Sequence, residues 1–334
     1  MPPSAFTPFA GPFALGTVSI PGSDPYPALV TSDGQALDLR EPFGERELTV
    51  RRLLERWADA LPRLRALAAG EAPAEGAARR PVDGLRVHAP VEPRQIFQSG
   101  ANYRRHVIDL HLAHRDGSDG LTEEEARAEA AAMMDRRAAE ELPYVFTGLP
   151  SALTGPYEDV VLPAWAQQPD WELELAAVIA RPAHRVAPEE ALSYVAGYTL
   201  ANDLTDRASV FRRDMPQIGS DWLRSKNAPG FTPLGPWIVP AESVPDPSDL
   251  RIELRLNGEV MQDESTEDMI FDVARVVSYA SQSAQLLPGD LVLTGSPAGN
   301  GMHWGRLLRN GDVMDASITG LGAQRTRCVA EEVR

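Results

Sequence analysis

The segment Asp170-Trp171-Glu172-Leu173-Glu174-Leu175-Ala176-Ala177-Val178-Ile179 limits the possible folds of this chain more than any other stretch. Leu173, Leu175 and the residues from Ala176 to Ile179 make an apolar run of the kind found in a strand covered on both faces. Residues two apart in a strand point the same way, so Glu172 and Glu174 enter one space. Inside a protein, two like charges in one space raise each other's pKa unless a cation compensates them. A hard divalent ion with oxygen ligands meets that need. The alternation of Trp171, Leu173 and Leu175 against the two glutamates equally describes a half-exposed strand with a solvated polar face. A third carboxylate, Asp203, lies in Ala201-Asn202-Asp203-Leu204-Thr205.

The chain has 334 residues, which suits one large domain with an appendage, or two domains. A formal charge of −16 opposes unspecific attraction to phosphate backbones and anionic membranes, so nucleic-acid binding is not expected. Such a charge leaves small anionic substrates open, because a bound metal reverses the sign of a pocket. A single cysteine, Cys328, provides no disulfide framework and no cysteine-based zinc site. No leader pattern opens the sequence and no apolar stretch reaches membrane-spanning length, which gives a cytoplasmic expectation with no membrane contact.

Residues 1–85 read as a small N-terminal α/β domain. Phe13–Thr17 and Tyr26–Val30 alternate as strands before an Asp33-Gly34 hairpin signal. Val50, Leu53, Leu54, Trp57, Leu61 and Leu64 then recur at helical spacing, predicting one helix or a proline-broken pair up to about Ala69. Residues 70–83 read as a linker. Residues 86–334 form the second unit, with a strand at Gln95–Gly100 and Asn102 as the cap of a helix carrying His106 and Asp109. Thr122 and Glu125 make a capping box for a charged helix that Pro143 stops. That insertion, about 110–142, suits a lid or a subunit contact better than core. Hairpin signals at Asn257-Gly258 and Asn310-Gly311, apolar runs at Ile252–Leu256 and Leu291–Leu293, and one helix with Val273, Ala274, Val276 and Val277 complete the pattern. The fold class is β-rich α+β, not a doubly wound sheet.

Three further features carry potential chemistry. His106 and Asp109 share a helix face, where a carboxylate can orient an imidazole; a structural histidine is the bland alternative, and His111 and His114 nearby dilute the signal. Lys226 is the only lysine among 32 basic residues, which suggests a need for a compact ammonium with a tunable pKa, or chance retention. Thr294-Gly295-Ser296-Pro297-Ala298-Gly299-Asn300-Gly301 follows a strand, and its glycines allow close approach to a ligand without matching a phosphate-binding loop.

In their order these pieces resemble the fumarylacetoacetate hydrolase family. Gly100-Ala101-Asn102-Tyr103-Arg104-Arg105-His106 is similar to its Gly-x-Asn-Tyr-x-x-His, and Glu172-Leu173-Glu174 with Asn202-Asp203-Leu204-Thr205-Asp206-Arg207 resembles its metal-binding strand pair. Lys226, Gly235-Pro236-Trp237, Asn257-Gly258-Glu259, Pro288-Gly289-Asp290 and Thr294-Gly295-Ser296-Pro297 continue the series over about Val87 to Val333. The resemblance implies a mixed β-sandwich roll, in a homodimer, with Glu172, Glu174 and Asp203 holding Mg²⁺, or Mn²⁺ or Ca²⁺ as variants. It makes His106 the base that activates water, with Asp109 behind it and Lys226 stabilising an oxyanion. Tyr103, Arg207, Ser296 and Gly295 become contacts for a small oxo-acid substrate. Three positions depart from the pattern: Asp109 replaces a common glutamate, Thr147 a lysine and Val210 a glutamine, which implies a different substrate.

The expected activity is hydrolysis of a carbon–carbon bond in a β-diketo acid such as an acylpyruvate, with the metal and Lys226 stabilising the expelled enolate. Decarboxylation, or hydration and isomerisation, of a 2-oxo dicarboxylate on the same metal site is the rival enzyme reading. A catalytically inactive metal-binding protein is the third.

Overall fold

The strand Leu173–Ile179 is buried along its whole length, as its composition requires. In the computed structural model, which describes residues 6–72, 76–113 and 120–332, it lies inside a six-stranded mixed sheet. Antiparallel neighbours flank it: Val195–Asn202 on one side and Leu291–Leu293 on the other. Leu291–Leu293 runs parallel to Ile96–Gly100, which pairs in turn with Tyr144–Gly148.

The two faces of the strand divide the hydrophobic core. Leu173, Leu175, Ala177 and Ile179 pack in one cluster with Ile252, Leu254, Met314, Ala316 and Ile318 of a second, five-stranded sheet. Ala176 and Val178 point the other way, into a cluster with Phe13, Leu15, Leu29, Leu53 and Leu64. Each fully buried leucine or isoleucine contributes about 1.5–3 kcal/mol, so both layers matter to the position of the strand. This is the β-rich α+β architecture expected from the sequence.

The N-terminal residues form a five-stranded sheet. Phe13–Ser19 is flanked by Tyr26–Thr31 and by Arg86–Val87, and the Asp33-Gly34 turn leads to Gln35–Asp38. The expected linker at 70–83 includes a strand, Arg79–Pro81, that pairs with Gln35–Asp38; three exposed polar-flanked residues with no apolar pattern left no signal for it. The helical stretch breaks at Glu55 and Arg56, between Val50–Leu54 and Trp57–Ala69, and Pro62 sits inside the second helix. Leu15 and Ile238 exchange backbone hydrogen bonds of 2.9 and 2.8 Å, which joins this sheet to the rest.

Of the two hairpin signals, one is borne out and the other is corrected. Asn257-Gly258 closes a hairpin between Arg251–Leu256 and Glu259–Ser265, with both residues at positive φ as a tight two-residue turn requires. Asn310-Gly311 is a turn but closes no hairpin, because no strand precedes it; Val313–Ile318 instead pairs with Gly322–Ala330 across Thr319 to Leu321. The capping box of Thr122 and Glu125 is present on the helix Glu123–Glu140. One face of that helix joins the core through Ala130 and Met134, so the insertion is not wholly peripheral. His114 lies outside the described residues. Among the described residues, no helix is long and apolar enough to cross a membrane.

Candidate metal centre

Glu172 and Glu174 project from the start of the central strand, and Asp203 follows the end of its neighbour Val195–Asn202. The two strands pair Leu173 with Asn202, and Asp203 N–H donates to Glu172 O at 2.8 Å, so the register itself brings the carboxylates together. One oxygen from each lies within 4.8 Å of the others. Glu174 and Asp203 are buried, and Glu172 keeps 12% of its side chain exposed at the mouth. The solvated-face alternative for this pair is therefore excluded.

The only lysine is at the centre of the cluster. Lys226 Nζ donates to Glu172 Oε2, to Asp203 Oδ2 at 2.5 Å and to Asp203 O at 3.1 Å. Arg207 pairs with Glu172 Oε1 at 2.7 Å and donates from Nε to Asp170 Oδ2 at 2.8 Å. Asp170 is fully buried and also accepts from the backbone N–H of Trp171 and Gly301. Gly295 N–H donates to Glu174 Oε2 at 2.7 Å. Its φ of +91° and the nearness of Asn102, 2.9 Å from where a Cβ would stand, require glycine there.

The electrostatics follow from burial. Desolvation, then the Asp203 charge, lifts Glu174 well above the ordinary carboxylate range. Asp203 is pushed up to about 6 by desolvation, although Lys226 pulls against it. Glu172 moves the other way: desolvation is outweighed by Arg207 and Lys226, which bring it down to about 2. Desolvation lowers Lys226, but Asp203 and Glu172 raise it further, so it stays an ammonium.

Four carboxylates, Asp170, Glu172, Glu174 and Asp203, thus face two cations, Arg207 and Lys226. Fully ionised, the cluster carries two negative charges more than its cations balance. An all-oxygen donor set with that excess fits a hard divalent ion, with Glu172, Glu174 and Asp203 as its holders.

Around the cluster, the expected residues divide. His106 is half-buried on the helix Arg104–Ala113, and desolvation lowers it to about 4, partly offset by the Glu172 charge. Asp109 pairs with Arg127 at 3.3 Å, and among the described residues no hydrogen bond joins it to His106. Tyr103 is fully buried, and burial, then Glu174, raises its hydroxyl well above the usual value. Ser296 Oγ accepts from Gln262 Nε2 at 2.8 Å. The donors of Gly295 and Arg207 that the resemblance assigns to substrate are engaged with carboxylates of the cluster. Thr147 is exposed on its strand and Val210 is buried.

Sequence reasoning missed several supports. Asn102 does not cap a helix: its amide donates to the carbonyls of Phe271 and Thr294 at 2.9 and 2.7 Å and accepts from Phe271 N–H at 3.0 Å. Gln98 donates to Asp203 Oδ1 at 2.5 Å. Asp170 adjoined the recognised motif, and its place before Trp171-Glu172 was the available signal.

The model of the fumarylacetoacetate (FAA) hydrolase C-terminal domain matches residues 95–329. A 2,4-didehydro-3-deoxy-L-rhamnonate hydrolase from Sphingomonas sp. (strain SKA58) is 42% identical over 186 residues, 55% of this chain and 64% of that protein. A mitochondrial oxaloacetate tautomerase from Homo sapiens is 39% identical over 182 residues, 54% of this chain and 57% of that one. These matches span somewhat over half the length of the curated relatives. The crystal structure of a probable 2-hydroxyhepta-2,4-diene-1,7-dioate isomerase from Mycobacterium abscessus is 30% identical, covers 96% of this chain and all of its own, and superposes with a TM-score of 0.71. Relatives of this kind include hydrolases, isomerases and tautomerases, so kinship fixes the architecture and leaves the reaction open. The chain belongs to the fumarylacetoacetate hydrolase family.

Proposed function

We propose that this chain is a metal-dependent hydrolase that cleaves a carbon–carbon bond in a β-diketo acid, an acylpyruvate or a related compound. The observation that carries the reading is a largely desolvated histidine beside a carboxylate cluster with an excess of two negative charges. With its pKa near 4, His106 is uncharged at neutral pH and free to accept a proton. The 42% identity to a hydrolase of a didehydro sugar acid supports the same class.

Glu172, Glu174 and Asp203 would hold Mg²⁺, with Mn²⁺ or Ca²⁺ as variants. When bound, such an ion polarises oxygens of the substrate as a Lewis acid. His106 takes a proton from water as it attacks the carbonyl. Lys226, already an ammonium, stabilises the negative charge that develops when the carbon–carbon bond breaks. Incubating the purified protein with acylpyruvates and Mg²⁺ or Mn²⁺ tests the reading: two acids must form, and His106→Ala must stop their formation. A variant that retains full activity removes His106 from the role of base.

One observation favours a second reading. Asp109 is turned to Arg127, so among the described residues no carboxylate is hydrogen-bonded to His106 to orient it. Proton transfer between carbon and oxygen of a 2-oxo acid needs a base but no attacking water. Isomerisation, hydration or decarboxylation of a 2-oxo dicarboxylate on the same site would give one product or CO₂ in place of two acids, and product analysis separates the cases.

A further inference from the structure

Gln98 lies in the strand Ile96–Gly100, outside every motif that marks the site in the sequence. Its side chain is 1% exposed and reaches across to Asp203, donating from Nε2 to Oδ1 at 2.5 Å. The other oxygen of Asp203, Oδ2, is the one that Lys226 holds. A neutral amide therefore fixes one side of the carboxylate and an ammonium the other.

The neighbouring strand is shaped around this amide. Gly148 pairs with Ile96 in the adjacent Tyr144–Gly148 strand, and a Cβ at Gly148 would stand 2.6 Å from Gln98 Oε1. Gln98 Oε1 itself is buried without a hydrogen-bond partner. A carbonyl oxygen left bare in the interior is costly, so the arrangement is not one that packing alone would select. The donor end of the amide offsets that cost through a charge-assisted bond, which is stronger than a neutral one.

We infer that Gln98 is a positioning residue for the metal centre: it holds Asp203 by Oδ1 so that Oδ2 alone is presented to the ion. The inference rests on the metal reading given above. Groups that hydrogen-bond to metal ligands fix their orientation, and their loss typically costs about 10–100-fold in metal affinity. An aliphatic side chain at position 98 removes the bond to Oδ1 and leaves the Asp203 carboxylate held at Oδ2 by Lys226 alone.

Titration calorimetry with Mn²⁺ on the full chain tests this. Wild type must bind Mn²⁺, and Gln98→Leu must bind it about 10–100-fold more weakly while its metal-free melting temperature stays close to wild type. Ser99→Ala, at a buried neighbour that faces away from Asp203 in the same strand, serves as the packing control and must bind Mn²⁺ as wild type does. Gln98→Asn retains a buried amide that is one methylene too short, and must show the same loss if the leucine variant folds poorly. The electron paramagnetic resonance spectrum of bound Mn²⁺ must also change in either Gln98 variant, a response that a purely structural role would not produce. A folded Gln98→Leu or Gln98→Asn protein with unchanged Mn²⁺ affinity and spectrum overturns the inference. Failure of wild type to bind Mn²⁺ would instead remove the metal reading beneath it, so the two failures are distinguishable.

Discussion

Asp109, on the helix Arg104–Ala113, pairs with Arg127 of the helix Glu123–Glu140, 3.3 Å from its guanidinium, and among the described residues not with His106 three residues before it. The pair is partly exposed, and such contacts contribute about 0–1 kcal/mol. Asp109→Asn is therefore expected to change kcat/KM by less than about fivefold, the factor that corresponds to that energy. A loss of two orders of magnitude in steady-state assays would restore Asp109 as the partner of the base.

His106→Ala is expected to lower kcat by about 10²–10⁴-fold, the usual contribution of a general base. The pH profile is distinctive. Desolvation lowers the folded-state pKa from 6.5 to about 4, so the acid limb of kcat/KM should fall near pH 4. Between those values the unfolded chain binds the proton and the native one does not. His106 therefore contributes stability above pH 6.5 that is lost as pH falls toward 4. An acid limb at pH 6.5 in the rate profile would contradict the desolvated imidazole.

Metal binding should release protons. Asp203 rises from an ordinary 3.8 to about 6, and Glu174 stands well above its usual range, so the metal-free native state binds more protons than the unfolded chain in that window. The sign follows: these two groups make the metal-free protein less stable as pH rises through the window, and a divalent ion relieves the cost. Glu172, held near 2, contributes stability above 4.5 that is lost only as pH falls toward 2. Calorimetry at pH 6 in two buffers of different ionisation enthalpy should give different apparent enthalpies, and affinity should increase with pH. Equal enthalpies in both buffers would refute proton release.

Asn102→Ala is expected to cost about 3 kcal/mol or more, because it strands buried backbone groups of Phe271 and Thr294 at about 1–3 kcal/mol each. Urea denaturation should show a lower midpoint with an unchanged slope. A midpoint shift of a few tenths of a molar, matching a surface substitution, would show that the clamp does not matter.

The carboxylate pair, Lys226 and the order of the glycine turns were legible because they are local: residue type and spacing carry them. The burial that decides between metal ligands and a wet strand edge was not local. It depends on Ala176 and Val178 meeting Phe13 and Leu15 from the far N-terminus, a contact without any pattern in either segment. Asn102 was misread for the same reason, since a cap and a backbone clamp ask for the same amide and differ only in what lies about 170 residues away. Arg207 and Gly295 were recognised as site residues, but which atoms they hold is set by side-chain geometry that spacing does not encode.

The shared layer of Phe13, Leu15, Ala176 and Val178 makes the first ninety residues a wall against the face of the central strand from which Glu172 and Glu174 also project. Leu15 and Ile238 stitch that wall to the sheet, and Gly16 leaves no room between it and the Trp237 ring. Unfolding should then proceed as one cooperative event, with no separate melting of an appendage. Anything that loosens the N-terminal sheet, a partner or a distant substitution, would be felt as a change in ion affinity further along the same face of the strand.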